Sequence, residues 1–393
     1  MKKKICIITG SRAEYGLFYP LLKLLKKSNL FRLQLIVTGM HLSLEFGMTY
    51  REIQKDGFRI NKKVSIKLKS DTPQGILSSM GLALSGLGKA LVRLKPDLVV
   101  VLGDRFETFC AATAAHVYRI PIAHLYGGEL SAGAIDEAFR HSITKMSLLH
   151  FTAAEEYRRR VIQLGEDPKR VFNVGAICLD NIREMKLLAK PELEKALGFS
   201  LGNRSVMVTF HPVTLEPDTT AVQFSALLRA LDHFLDLKII FTSPNADTNG
   251  RIIIKLIEEF VRNNPDRSKA FSSLGSLLYL SCLKHVNAMV GNSSSGITEG
   301  PSLKIPTVNI GDRQKGRIRA KSIIDCSPEE KHIEAAIKKA LSPAFQRKCR
   351  KTVNLYGQGH TASEIMRVLC RQNWDKADLK KTFYKIRVNG VQK

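Results

Sequence analysis

The hydrophobic pattern of the chain switches period repeatedly. Short apolar runs bounded by Gly, Pro or Asp alternate with longer stretches in helical period, the pattern of parallel strands buried on both faces between layers of helices. Ile5-Cys6-Ile7-Ile8-Thr9-Gly10 predicts a strand closing on a glycine turn, and an amphipathic run from Tyr15 to Lys27 follows it. Leu33 to Thr38, Asp97 to Leu102, Pro121 to Leu125 and Leu148 to Thr152 read as further strands, with a long helical stretch around Gln74 to Leu94. Between Asn181 and Gly202 the pattern loosens into a charged helical connector. A second series then begins with Ser205 to Phe210 and continues with Leu237 to Phe241, Asn287 to Val290 and Pro306 to Ile310.

Two such series in tandem predict an α/β protein with two Rossmann-like domains and a cleft between them. The first domain is expected over residues 1–180, the second over 181–370, and a basic tail over 371–393. A length of 393 residues exceeds what one hydrophobic core usually supports, and a hydrophobic content of 44% is enough to fill two. The nearly uninterrupted apolar stretches are strand-length, short of the roughly 20 residues a membrane helix needs, so no membrane span is expected. Met1-Lys2-Lys3-Lys4 leads directly into a strand and lacks a secretory cleavage pattern, which predicts a cytoplasmic protein. Seven scattered cysteines, without CxxC or Cys/His spacing, read as reduced, mostly buried and not catalytic.

The net charge of +25 raises the question of nucleic acid, a membrane surface or an anionic small substrate. Lysines and arginines are spread along the chain, and no aromatic-interleaved RNA-binding pattern accompanies them. A basic nucleic-acid-binding protein is therefore the weaker reading, the more so because carboxylates follow several strands and would repel phosphate.

In open α/β sheets ligands bind beyond the carboxyl ends of strands, so the residues there carry the candidate chemistry. Gly10-Ser11-Arg12 places a cation at a helix N-terminus, where free N–H groups favour an anion; an ordinary surface turn is the bland alternative. Gly103-Asp104-Arg105 brings a carboxylate and a guanidinium to the cleft edge, although an aspartate after a strand is most often a helix N-cap. Glu129, Asp136, Arg140 and His141 follow the next strand, and several carboxylates at neighbouring corners suit acid–base chemistry. In the second half His211 ends a strand, where a structural role is about as common as a catalytic one. Gly291-Asn292-Ser293-Ser294-Ser295-Gly296, with Glu299 one helical turn on, forms a nest for a diphosphate; a plain Gly/Ser loop is the alternative.

These segments, with Val37-Thr38-Gly39-Met40-His41, His124-Leu125-Tyr126-Gly127-Gly128-Glu129, His211-Pro212-Val213-Thr214 and Asn309-Ile310-Gly311-Asp312-Arg313-Gln314-Lys315-Gly316-Arg317, resemble in order the hydrolysing UDP-N-acetylglucosamine 2-epimerases of the sialic and legionaminic acid branch. The resemblance implies a GT-B architecture whose final helix, near Thr361 to Cys370, crosses back onto the first domain. It implies a UDP-linked N-acetylated hexosamine as substrate, no metal or redox cofactor, and a homodimer or homotetramer. The implied reaction is anti elimination of UDP to a 2-acetamidoglucal, then hydration to the free manno sugar. Position by position, Asp104, Glu129 and Asp136 resemble the acid–base carboxylates, and His211 and His41 active-site histidines. Arg12, Ser293, Ser294 and Arg313 resemble diphosphate ligands, Glu299 a ribose ligand and Asn245 a nucleotide-domain contact, with Arg105 placed to assist either group. Some relatives carry a glutamate where this chain has Tyr126. Leu17 stands where non-hydrolysing relatives have a lysine, which favours hydrolysis. UDP-N-acetylglucosamine is the default substrate; UDP-N,N'-diacetylbacillosamine fits equally, and a glycosyltransferase on the same fold is the further alternative.

Overall fold

The computed structural model describes residues 2–68, 70, 72–131, 134–213, 219–244 and 250–386, with residues 376 and 377 described by backbone alone. Among the described residues thirteen strands form two sheets. The first contains β1 (Lys3–Thr9), β2 (Phe31–Thr38), β3 (Lys62–Val64), β4 (Leu98–Leu102), β5 (Ile122–Leu125), β6 (Leu149–Thr152) and β7 (Val171–Asn173). The second contains β8 (Ser205–Thr209), β9 (Lys238–Thr242), β10 (Ser268–Phe271), β11 (Ala288–Gly291), β12 (Thr307–Ile310) and β13 (Ile323–Cys326). The orders are β3-β2-β1-β4-β5-β6-β7 and β10-β9-β8-β11-β12-β13, and the pairings are parallel. This is the α/β GT-B architecture of two Rossmann-like domains facing across a cleft.

Why the strands read so clearly is visible in β1 and β4. Ile5 and Ile7, with Leu98, Val100 and Leu102, enter one core beside the helix Arg12–Lys27. Cys6 and Ile8, with Val99 and Val101, enter the opposite core beneath Leu87 and Ala111. Both faces are covered, so the strands cannot alternate apolar with polar positions. The second sheet repeats the arrangement: Val206 and Val208 pack against Phe224 and Leu227, Met207 against Leu193 and Leu280.

The strands beyond those expected, β3, β7, β10 and β13, are the edge strands of the two sheets. Lys62-Lys63-Val64 and Val171-Phe172-Asn173 are three residues long, and β10 and β13 are only half buried, so each lacks an apolar run to announce it. The helix Pro73–Leu94 has the length and composition to cross a membrane, but one face of it, with Ala83, Leu87 and Leu91, lies in the core of the first domain.

The chain passes to the second domain through the helix Cys178–Glu184 and returns through the helix Thr361–Arg371, whose Ile365, Val368 and Leu369 join the first domain's core. Past that helix, Trp374 is buried near Phe31, with ring centroids 6.2 Å apart, and its Nε1 donates to the Leu369 carbonyl at 3.0 Å. Lys381 Nζ donates to the carbonyls of Lys145 and Ser147 and to Glu166, each at 2.7 Å. The basic tail, for which the sequence suggested no task, is a strap on the first domain as far as residue 386.

Candidate active site

The carboxyl ends of both sheets face one cavity of about 380 Å³. Arg12, Asp104, Arg105, Glu129 and Asp136 line it from the first domain, and His211, Ser293, Ser294, Glu299 and Arg313 from the second. His41 does not reach it. The imidazole is fully buried, with Nε2 3.2 Å from Thr9 Oγ1 and Nδ1 2.8 Å from Thr49 Oγ1, and burial holds its pKa down at about 3. Asn245 lies outside the described residues.

The carboxylates are organised by arginines. Asp104 does not cap the helix Phe106–Val117, whose N-cap is Arg105 without a side-chain capping bond. Its carboxylate instead pairs with Arg140, which also donates to the Tyr126 carbonyl at 2.8 Å and to Ser131 Oγ at 3.1 Å. Tyr126 makes that carbonyl available by sitting at a φ of 66°, a left-handed conformation uncommon outside glycine and frequent at functional sites. Glu129 lies 4.0 Å from Arg140 and 2.8 Å from Arg317 of the second domain. Asp136 is half-buried at the first position of the helix Asp136–Met146, where the helix dipole favours its negative charge.

On the nucleotide side, Ser293 caps the short helix Ser294–Thr298 by accepting from Ser295 N–H at 3.4 Å. Ser295 hydroxyl donates to Glu299 and accepts from Tyr279 hydroxyl at 2.7 Å. Burial raises Glu299 to about 7 despite the Ser295 bond. Asn292 ties the ends of β8 and β11 together, with Oδ1 accepting from His211 N–H at 2.7 Å and Nδ2 donating to the His211 carbonyl at 2.8 Å. The backbone carbonyl of Asn292 accepts from Arg313 at 3.3 Å and from Gln314 at 2.8 Å. Burial, then Arg313 and Arg105, holds His211 well below its ordinary pKa, so it acts as a neutral imidazole. Arg12, from the first domain, pairs with Glu52 at 2.7 Å at the cavity edge.

Several groups in or behind the cavity escaped the sequence reading. Glu14 is buried, accepts from Gly10 N–H at 2.6 Å, and is raised to about 7 by burial first and Glu107 second. The Ser11-x-x-Glu14 spacing of a capping box would have marked it, and Ser11 Oγ does accept from Glu14 N–H at 3.3 Å. Glu107 holds the Arg105 guanidinium by two bonds of 3.2 and 3.3 Å. Arg317 was visible only as the last residue of the Asn309–Arg317 segment; its partner is far away in sequence and left no local sign.

Together the site can hold an anion at the serine nest, stabilise its charge with arginines from both domains, and move protons between carboxylates in a partly dry cleft. Comparison with known proteins agrees with that reading. Residues 23–370 match the family described as UDP-N-acetylglucosamine 2-epimerase. A Campylobacter jejuni protein named GDP/UDP-N,N'-diacetylbacillosamine 2-epimerase (hydrolyzing) is 45% identical, over 88% of this chain and 89% of its own. The Escherichia coli polysialic acid biosynthesis protein P7 is 40% identical over 93% of each. In fold, the crystal structure of UDP-GlcNAc 2-epimerase from Neisseria meningitidis bound to UDP-GlcNAc superimposes with a TM-score of 0.79 at 18% identity, covering 94% of this chain and 100% of that one. The chain therefore belongs to the UDP-N-acetylglucosamine 2-epimerase family.

Proposed function

We propose that this enzyme hydrolyses a UDP-linked 2-acetamido sugar with inversion at carbon 2. The observation that carries the reading is the meeting of Asp104, Glu129 and Asp136 with the Ser293–Ser294 nest, Arg12 and Arg313 in one cavity. A base takes the proton from carbon 2 while the bond between carbon 1 and the bridging oxygen breaks, and that oxygen leaves on UDP. The electron pair of the broken C–H bond becomes the carbon 1–carbon 2 double bond of a 2-acetamidoglucal. Water then adds across it, hydroxide to carbon 1 and a proton to the opposite face of carbon 2, giving the free manno-configured sugar.

In this reading Arg12, Arg313 and the serine nest stabilise the departing diphosphate, and Glu299 accepts ribose hydroxyls. Asp104 and Asp136, the more exposed carboxylates, carry protons, with Glu129 beside them. His211 contributes hydrogen bonds as a neutral ring. The similarity to the diacetylbacillosamine enzyme favours a 2,4-diacetamido sugar over UDP-N-acetylglucosamine.

The test offers both UDP-sugars to the purified protein in heavy water and reads the product by NMR. A manno free sugar carrying deuterium at carbon 2 is expected, with oxygen from labelled water in the sugar and none in UDP. A gluco product without deuterium at carbon 2 would reduce the enzyme to a plain nucleotide-sugar hydrolase, and a manno product without deuterium would refute proton replacement from solvent. Turnover that requires a sugar acceptor would make it a glycosyltransferase.

A further inference from the structure

The loop between β12 and β13 does two things at once. Near its start Arg313 faces the nucleotide half of the cavity and donates to the Asn292 carbonyl. Four residues on, Arg317 leaves its own domain and enters the Glu129 corner of the other. Its guanidinium pairs with Glu129 at 2.8 Å, and its Nε donates to the Leu130 carbonyl at 3.0 Å. The side chains of both charged partners are buried, with exposures of 7% and 4%.

The backbone is shaped for this approach. Gly316 has a φ of 81°, and a Cβ there would collide with the Leu130 side chain. Ile318, the next residue after Arg317, donates its N–H to Tyr157 hydroxyl at 3.1 Å, and its carbonyl accepts from Tyr356 hydroxyl at 3.1 Å. The two hydroxyls are 2.8 Å apart. Beyond Glu129 the charges continue to Arg140 and from there to Asp104. Separating Arg317 from Glu129 leaves two charges to be rehydrated together, so the contact favours two discrete arrangements, shut or open, over a graded one.

We propose that Arg317 is a positioning residue, a clasp by which the loop that holds the diphosphate also sets the carboxylate cluster of the opposite domain. Seating a nucleotide fixes the loop at Arg313, and the loop then fixes Glu129 and, through Arg140, Asp104. The role in turnover rests on the epimerase reading, whereas the coupling itself is a property of binding and can be measured with UDP alone.

Hydrogen exchange of the full-length protein with and without UDP tests it, in wild type, Arg317→Gln, Arg317→Lys, Glu129→Gln and the double variant Glu129→Gln/Arg317→Gln. In wild type UDP should slow exchange both at 292–299 and at 127–131. In Arg317→Gln the first protection should persist at saturating UDP, while UDP affinity should fall by the same factor as the second protection, because coupling between two sites is reciprocal. The second should fall by about 5- to 150-fold, the range of an allosteric coupling. Glu129→Gln should lose the same protection, the double variant no more than either single, and Arg317→Lys, which keeps the charge and loses the fork, should fall between. In Arg317→Gln kcat measured at saturating substrate should also drop. Undiminished protection at 127–131, additive losses in the double variant, or a lower melting temperature with kcat intact would each overturn the clasp. Should Arg317→Gln not fold, the lysine variant and Glu129→Gln carry the same readings. A wild-type enzyme that makes no manno sugar would refute the epimerase reading and leave the exchange result standing.

Discussion

Replacing Asp104 by asparagine removes a proton carrier while keeping the shape of the side chain, and its two consequences can be separated. The kinetic one follows from acid–base catalysis, which contributes about 10²- to 10⁴-fold. At 1.36 kcal/mol per tenfold, that is about 2.7 to 5.4 kcal/mol of barrier. The structural one follows from Arg140, whose side chain is 3% exposed and loses its ionised partner. Breaking a buried pair costs about 3–5 kcal/mol in general. Here the cost should lie at or below the lower end, because Asp104 is 18% exposed and Arg140 keeps the Tyr126 carbonyl, Ser131 and Glu129. Asparagine can also still accept a hydrogen bond from Arg140. UDP release under saturating substrate, UDP binding by calorimetry and urea denaturation give the three quantities on one sample. The expected outcome is turnover down at least about 100-fold, UDP affinity within a few-fold, and a folded protein of lower stability. Loss of UDP affinity in parallel with turnover would refute the reasoning and make Asp104 a structural partner of Arg140 only.

Three further outcomes follow from the same geometry. Ser294→Ala should weaken UDP binding by roughly 1 kcal/mol or more, a hydrogen bond to a charged group, and unchanged calorimetric affinity would remove the nest from the diphosphate site. Glu299 sits at about 7 rather than near 4.5, so folding favours its protonated form. Stability of the unliganded protein should therefore fall as pH rises from 4.5 to 7, while uridine affinity climbs through the upper part of that window as the acceptor ionises. Glu299→Gln should flatten the affinity profile, and an identical slope in the variant would show that another group titrates. Trp374→Ala should cost about 3–5 kcal/mol by emptying a buried aromatic site. It should leave kcat of the folded fraction near wild type, since Trp374 touches no part of the cavity; a loss of kcat without a loss of stability would contradict this.

The central strands were legible because burial on two faces writes an unbroken apolar run, as in Leu98 to Leu102. The edge strands were not, since two of the three residues of Lys62-Lys63-Val64 are lysines and the segment needs only one neighbour to be a strand. In the site, residue types and strand-end positions pointed to Asp104 and Glu299, and both line the cavity, yet sequence could not choose between cap and cleft for Asp104, because both uses put an aspartate after a strand. The choice is made by Arg140, 36 positions away in the chain. His41 shows the converse: its motif suggests the cavity, while Thr9 and Thr49 take up both ring nitrogens beneath it. Pairings such as Arg317 with Glu129 depend on how two domains face each other, which no local pattern records.

The return of the helix Thr361–Arg371 to the first domain has a consequence for synthesis. Ile365, Leu369 and Trp374 fill the same core as Ile5, Phe18 and Phe31. On the ribosome the first sheet emerges long before these residues do, and it must wait with that face only partly covered, by the helix Arg12–Lys27, while the whole second domain is made. The second domain draws its two cores from residues 182–349 and can close them before the first domain is finished. The order of completion is thus the reverse of the order of translation, and the partly covered face of the first sheet is where a chaperone would be needed.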